Sequence, residues 1–339
     1  MWLSPPSRSV DLPAGCAFRA FPCCERRERR DCLLGLVPAA ALREASAPTS
    51  PEDLALVHPD PAHLTRLLSD MRYVYNVYEM PWPEWRQALE PGSPAAQAAD
   101  AQDREHIIEP LRWLCANLVD ATRVAYEERR PLVVVPGAGA HHAAPGHAEG
   151  SNLFCAVPLA WLKLRAAHPE VRAALYVDVD VHHANGYATA RAQLGMQGHF
   201  FIVDAFNVDI WPFPEDGSET LPTLEHVNVS LPFHCGIGGK AYLALLRHGL
   251  ERAAAELPKP DVVFYMCCND ALEGDPLGRT KVPANAVYER DRMVVEWARA
   301  RGAPVVLMPG AGYGAASCRV ARESMARLIE EFCPGGQLQ

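Results

Sequence analysis

The chain has 339 residues, 49% of them hydrophobic, and a formal net charge of −9, so it can bury a large core and is too acidic for a general nucleic-acid binder, while leaving room for a basic substrate. Eleven cysteines, an odd number with adjacent pairs at Cys23–Cys24 and Cys267–Cys268 and no Cys-x-x-Cys spacing, read as reduced intracellular thiols rather than a disulfide framework or a cysteine zinc site. No apolar run approaches the roughly 18 residues that a membrane span needs.

In chain order, residues 1–50 are rich in Pro, Arg, Cys and Ala without a sustained period, and are expected to form a poorly ordered lead-in. They lack the apolar core of a signal peptide. The basic cluster Arg26–Arg30 reads as a solvated tail, with organelle targeting as the other option; otherwise the nucleus or cytoplasm is expected. The first helical signal spans 52–70, with Pro61 near a helix start and Leu64, Leu67 and Leu68 on one face. A Pro-rich loop with Trp82 and Trp85 follows. Ile107, Leu111, Leu114, Leu118 and Val119 then mark a long amphipathic helix between Asp103 and Glu127.

From there strands and helices alternate. Strands are expected at 132–135, 173–181, 200–203, 227–231, 262–266 and 305–308, and helices at 153–167, 241–256, 287–300 and 315–331. Strands this apolar, separated by helices, indicate a three-layer α/β/α fold with a mainly parallel sheet, formed as one domain over residues 51–335. In such sheets function collects beyond the carboxyl ends of the strands. Four strand ends carry unusual polar residues: Gly137-Ala-Gly-Ala-His141-His142, His182-His183-Ala-Asn185-Gly186, Cys267-Cys-Asn-Asp270, and Pro309-Gly-Ala-Gly-Tyr313-Gly314.

The stretch Tyr176–Gly186 is the most telling. Val177, Val179 and Val181 alternate with Asp178, Asp180 and His182, the period of a strand, with three candidate ligands on one face. Asp180, His182 and Asp270 together supply two carboxylates and a neutral imidazole. That set balances a divalent charge and leaves positions open for water and substrate. His183 points the other way and is read as a packed group. His141 and His142 suit acid–base work near neutrality, with Asp178 placed to orient His141 and Asn185 to hold His142. Tyr313 offers a phenol to a carbonyl oxygen that is becoming an oxyanion. Together these groups describe hydrolysis of an amide without a Ser or Cys nucleophile; neither a G-x-S-x-G elbow nor a phosphate loop is present.

Gly137-Ala-Gly-Ala-His-His142, Asp178-Val-Asp-Val-His-His-Ala-Asn-Gly186, Asn269-Asp-Ala-Leu-Glu-Gly-Asp-Pro-Leu-Gly278 and Gly310-Ala-Gly-Tyr313 resemble, in this order, the zinc-dependent histone deacetylase family. The 270–278 segment, Val57-His58 and Asn185, where most relatives carry Asp, are most similar to its class IV branch. The resemblance covers roughly residues 52–333. It implies an arginase/deacetylase fold that removes acyl groups, acetyl or longer fatty acyl, from lysine side chains of histones or other proteins. By position it implies Zn2+, or Fe2+ in its place, on Asp180, His182 and Asp270. His141, His142, Asp178, Asn185 and Tyr313 take the catalytic roles, and Gly139, Phe154 and Trp211 line the substrate channel. It also implies a structural K+ near the backbone of Asp178, Asp180 and His182, with Asp204 as a further candidate ligand, and corepressor-type protein partners. The usual Gly-Gly-Gly-Phe is Gly137-Ala138-Gly139-Ala140 here, which removes one aromatic from the channel. The 142–154 loop is longer than in class IV relatives. Two other readings stand beside this one. One is an enzyme for acetylated polyamines or another small amide; the other is a catalytically weak binding subunit, against which complete retention of Asp180, His182, Asp270, His142 and Tyr313 argues.

Overall fold

The structure, a computed structural model, describes residues 2–3, 32–33, 35–36, 41–214, 221–257 and 259–333. Most of the segment read as a poorly ordered lead-in, including the Arg26–Arg30 cluster, lies outside the described residues. Seven parallel strands form one sheet: β1 Trp2–Leu3, β2 Leu132–Val134, β3 Ala174–Asp178, β4 Phe200–Asn207, β5 Val229–Phe233, β6 Val262–Met266 and β7 Val305–Met308. Their order is β1-β2-β7-β6-β3-β4-β5. All six strands read from the sequence are present, and every pairing is parallel.

Residues of each strand alternate between two cores. Val133, Tyr176, Phe264 and Val306 face the helices Pro61–Ser69, Glu109–Glu127 and Ala156–Ala167. Val134, Val177, Val263, Tyr265 and Leu307 face Gly239–Glu256, Ala284–Arg299 and Ser317–Phe332. Both faces are therefore covered, which is why these strands read as continuous apolar runs. Fully burying a side chain such as Phe264 or Leu307 stabilises the fold by about 1.5–3 kcal/mol before the entropy of ordering it. Among the described residues no helix is long and apolar enough to cross a membrane.

Among the local outcomes that differ from the sequence reading, three have a plain physical reason. The long helix expected from Asp103 starts as a wide π turn, Arg104–Ile108, and becomes α-helical at Glu109–Glu127. Pro110 follows that turn and has no N–H to give to the preceding turn. The helix expected from Leu153 begins at Ala156, which leaves Pro158 in its first turn, where a missing N–H costs nothing. The strand expected to reach Val181 stops at Asp178, because the Asp178 carboxylate takes the Asp180 N–H at 2.9 Å and diverts the chain from the ladder. Helices Met71–Val77, Glu84–Gln87, Pro94–Asp103 and Asn185–Gln193 were not read from the sequence. The last is short and full of small residues, so it carries little apolar period.

One buried network ties the helix layer to the end of β6. Arg290, fully buried, donates to the Cys268 carbonyl, to Asn269 Oδ1 and to Asp291 Oδ1. Asp291 in turn accepts from the Tyr265 and Ser324 hydroxyls, both at 2.6 Å. Arg290→Ala removes the guanidinium and strands the Asp291 charge, so urea unfolding should show a loss of about 3–5 kcal/mol. A loss below about 1 kcal/mol would mean that the network does not hold the β6 end.

Candidate active site

The four strands whose ends carry the unusual residues, β2, β7, β6 and β3, are consecutive neighbours in the sheet. That adjacency brings residues far apart in the chain to one rim. The Gly137 N–H bonds the Pro309 carbonyl, and the Asn269 N–H bonds the Ala311 carbonyl at 2.7 Å, stitching the loops together. Gly186 opens the next helix directly against the backbone of His142; a Cβ there would stand 2.3 Å from the His142 carbonyl carbon.

At the rim, carboxylate oxygens of Asp180 and Asp270 lie within 4.8 Å of each other. His182 Nδ1 is 2.7 Å from Asp180 Oδ1 and 3.4 Å from Asp270 Oδ2. Both carboxylates are buried, at 1% and 0% exposure. Burial opposes charge on Asp180, but His141 and His182 outweigh it and hold its carboxyl well below the usual range. Burial and the Asp180 charge push Asp270 well above that range. Burial also works against a charged His182, yet Asp180 and Asp270 raise its pKa to about 10. Two carboxylates this close cannot both ionise without a positive partner. A divalent cation would satisfy them together, and the donors Asp, His and Asp fit zinc or iron.

Beside this cluster His141 Nδ1 is 2.8 Å from Asp178 Oδ2, which also accepts the Tyr176 hydroxyl at 2.7 Å. Burial would lower the pKa of His141, but Asp178 and Asp180 outweigh it and raise it to about 9. The ring of His142 packs 3.9 Å from that of His141, and its Nδ1 is 2.7 Å from Asn185 Oδ1. Burial, then His141 and His182, push its pKa well below the ordinary value. One imidazole is thus poised as a cation and its neighbour as a neutral base. Behind Asn185 stands Glu149, whose carboxylate accepts from Asn185 Nδ2. A negative charge lies one residue further from His142 than a carboxylate at position 185 would place it.

Trp211 is half exposed, with its ring 4.5 Å from His142 and 6.3 Å from His182. The exposed Val208 and Phe213 flank it in sequence. The structure does not bring Phe154 to that wall. Its ring is 2% exposed and meets the ring of His58 at 6.1 Å, inside the core. The backbone of Gly150 approaches His142 and Trp211 instead, and Phe154 is buried together with Cys155. Gly139 lies deeper, against Met266, at a φ of 139°. Tyr313 sits half-buried in the loop after β7. Asp275 Oδ2 accepts its N–H at 2.6 Å and that of Gly314 at 3.0 Å, while Oδ1 accepts from Leu277 and Gly278. His183 points away from the rim, between Asp204 and Thr223. Asp204 Oδ1 is buried and has no hydrogen-bond partner among the described residues, an acceptor that a cation such as K+ would satisfy.

Sequence reasoning missed Asp275, Glu149, Arg290 and the part played by His58. The signals were present for two of them: an Asp within Gly-Asp-Pro-Leu-Gly at a strand end, and a Glu in a Gly-rich loop beside the His pair. Arg290 left none, since its helix reads as an ordinary solvated one.

The histone deacetylase domain model matches residues 25–329. The chain belongs to this family. Histone deacetylase 2 of Arabidopsis thaliana is 28% identical over 67% of this chain and 56% of its own length. Histone deacetylase 1 of Homo sapiens is 26% identical over 55% of this chain and 37% of its own. The chain thus spans about half, or less, of the curated relatives it matches. Among solved structures, a histone deacetylase homologue complexed with SAHA superposes with a TM-score of 0.66 at 18% identity, covering 97% of this chain and 82% of that one. The HDA15 HD domain gives the same TM-score at 19% identity, over 99% of this chain and 93% of that one. At these identities the superpositions establish the arginase/deacetylase fold.

His58 clamps the long loop of this domain. Its Nδ1–H donates to the Pro145 carbonyl and its Nε2 accepts the Cys155 N–H, both at 3.2 Å. Burial lowers its pKa from 6.5 to about 4. His58 is therefore neutral in the fold, and between these values the unfolded chain binds the extra proton. Its contribution to stability is complete above pH 6.5 and is lost as the pH falls toward 4. The stability difference between wild type and His58→Gln should shrink by about 2 kcal/mol from pH 7 to pH 5 in urea unfolding. A difference independent of pH would contradict the clamp.

Proposed function

We propose that this histone deacetylase family member is a metal-dependent hydrolase that removes acyl groups from lysine side chains. The observation that carries the proposal is the convergence, from the ends of β3, β6 and β2, of Asp180, His182 and Asp270 with an asymmetric His pair under Trp211. Asp180, His182 and Asp270 would hold the ion, Zn2+ with Fe2+ as the alternative. Once bound, it polarises the amide carbonyl and lowers the pKa of a water.

The chain's own groups supply the rest. His142 keeps Nδ1 bonded to Asn185, so the lone pair on Nε2 accepts the proton of the attacking water. His141, charged through Asp178, returns a proton to the leaving amine. Asp178 keeps that imidazole oriented. Tyr313 donates its hydroxyl to the developing oxyanion, from a loop that Asp275 fixes through two backbone N–H groups. Trp211 excludes water on one side and gives an apolar wall to the lysine stem. With Phe154 turned into the core and Ala140 before the His pair, neither of these two positions sets an aromatic ring opposite Trp211. A wider channel favours longer fatty-acyl chains, in keeping with the class IV likeness. Asp204 would help to hold a structural K+. Acyl-lysine proteins are the expected substrates, in the nucleus or cytoplasm, with corepressor-type partners.

Two measurements check this. Tyr313→Phe should lower kcat/KM by roughly 10²–10³ with metal content unchanged, and a near-wild-type rate would remove Tyr313 from the mechanism. Across lysine peptides of increasing acyl length, the zinc-loaded protein should turn over long chains faster than acetyl, and a hydroxamate should block both. Turnover of acetylpolyamine alone would favour the small-amide reading. Absence of turnover by the metal-loaded chain would favour a binding subunit.

A further inference from the structure

Cys268 is a buried donor that the mechanism above leaves unused. It lies just beyond β6, two residues before Asp270, and is fully buried. Its Sγ and one carboxylate oxygen each of Asp180 and Asp270 all lie within 4.8 Å of one another. Donor atoms around a four-coordinate first-row ion stand about 3.5 Å apart, from bonds of about 2.0–2.3 Å, so this spacing closes onto an ion with small side-chain shifts. The sulfur is fixed from behind. It accepts the Ala311 N–H at 3.0 Å, and a Cβ on Gly310 would come within 2.6 Å of it. The Cys268 carbonyl is meanwhile gripped by the buried Arg290. Its neighbour Cys267 belongs instead to the apolar core under the Ser317–Phe332 helix.

We propose that Cys268 is a fourth protein ligand of the ion, making the set Asp180, His182, Cys268 and Asp270. The inference rests on the reading of this site as a metal centre. Ligation forms a metal–sulfur bond, breaks the S–H bond and releases its proton to solvent. A thiolate donor shifts the preference toward zinc and cobalt over magnesium and manganese.

Cobalt titration of the metal-free full chain tests this. The wild type should bind one Co2+ with visible d–d bands and a near-ultraviolet sulfur-to-metal charge-transfer band. Cys268→Ser should still bind one Co2+, more weakly, without the charge-transfer band. Cys267→Ser should keep the band. One Co2+ bound by the wild type without that band, or a band surviving in Cys268→Ser, overturns the ligand assignment and leaves the metal centre intact. No Co2+ bound by the folded wild type overturns the metal centre and the inference with it. X-ray absorption on the zinc-loaded wild type gives a readout that needs no variant: one sulfur scatterer at about 2.3 Å supports the assignment, and a shell of oxygen and nitrogen alone refutes it.

Discussion

Asp180 and Asp270 set the terms for the rest of the molecule. Their carboxylates are buried, share a space a few ångströms across and face the same imidazole nitrogen, His182 Nδ1. Removing two charges from water and then pressing them together is among the costliest arrangements a fold can adopt. A fold that keeps it must supply compensation: His182 lies against both carboxylates, and a bound cation would answer them together. The neighbouring groups make sense against that background. Asp178 and Asp180 favour a charged His141 against its burial, whereas burial and then the two neighbouring imidazoles favour a neutral His142. The acid and the base of the proposed reaction are thus separated by environment, though they are the same residue type at adjacent positions.

Holding such a cluster demands rigidity, and the sheet provides it. Because β2, β7, β6 and β3 are neighbours, each functional loop leaves a strand hydrogen-bonded to the next. Buried polar anchors finish the work beneath: Arg290 grips the Cys268 carbonyl two residues before Asp270, Asp275 gathers four backbone N–H groups around Tyr313, and His58 pins the long loop at Pro145 and Cys155. None of these three would touch substrate. Each converts burial into position, so that damage to any of them reaches the rim without altering a ligand.

Much of this was legible in the sequence, for identifiable reasons. The strands are apolar runs of unmistakable length, and two Asp and a His at alternate positions from Asp178 to His182 are a costly set to bury at a strand end. The strand-end residues themselves suggest Asp178 for His141 and Asn185 for His142, and the geometry places both pairs within 2.8 Å. What stayed hidden depends on three-dimensional neighbours. Strand order has no local signature. Phe154 has the right residue type for a channel wall, but it packs against His58 in the core, a contact with no local signal in the sequence. Arg290 and Cys268 look ordinary until packing seals one and aims the other at a carboxylate pair.

The account stands on a single ion shared by Asp180, His182 and Asp270, and anomalous diffraction from crystals of the zinc-loaded chain, recorded on either side of the zinc absorption edge, locates such an ion without assuming its ligands. One strong peak within bonding distance of His182 Nδ1 and of carboxylate oxygens from both Asp180 and Asp270 is the predicted result. A well-ordered site with no peak there, or with the ion held by other residues, would contradict it.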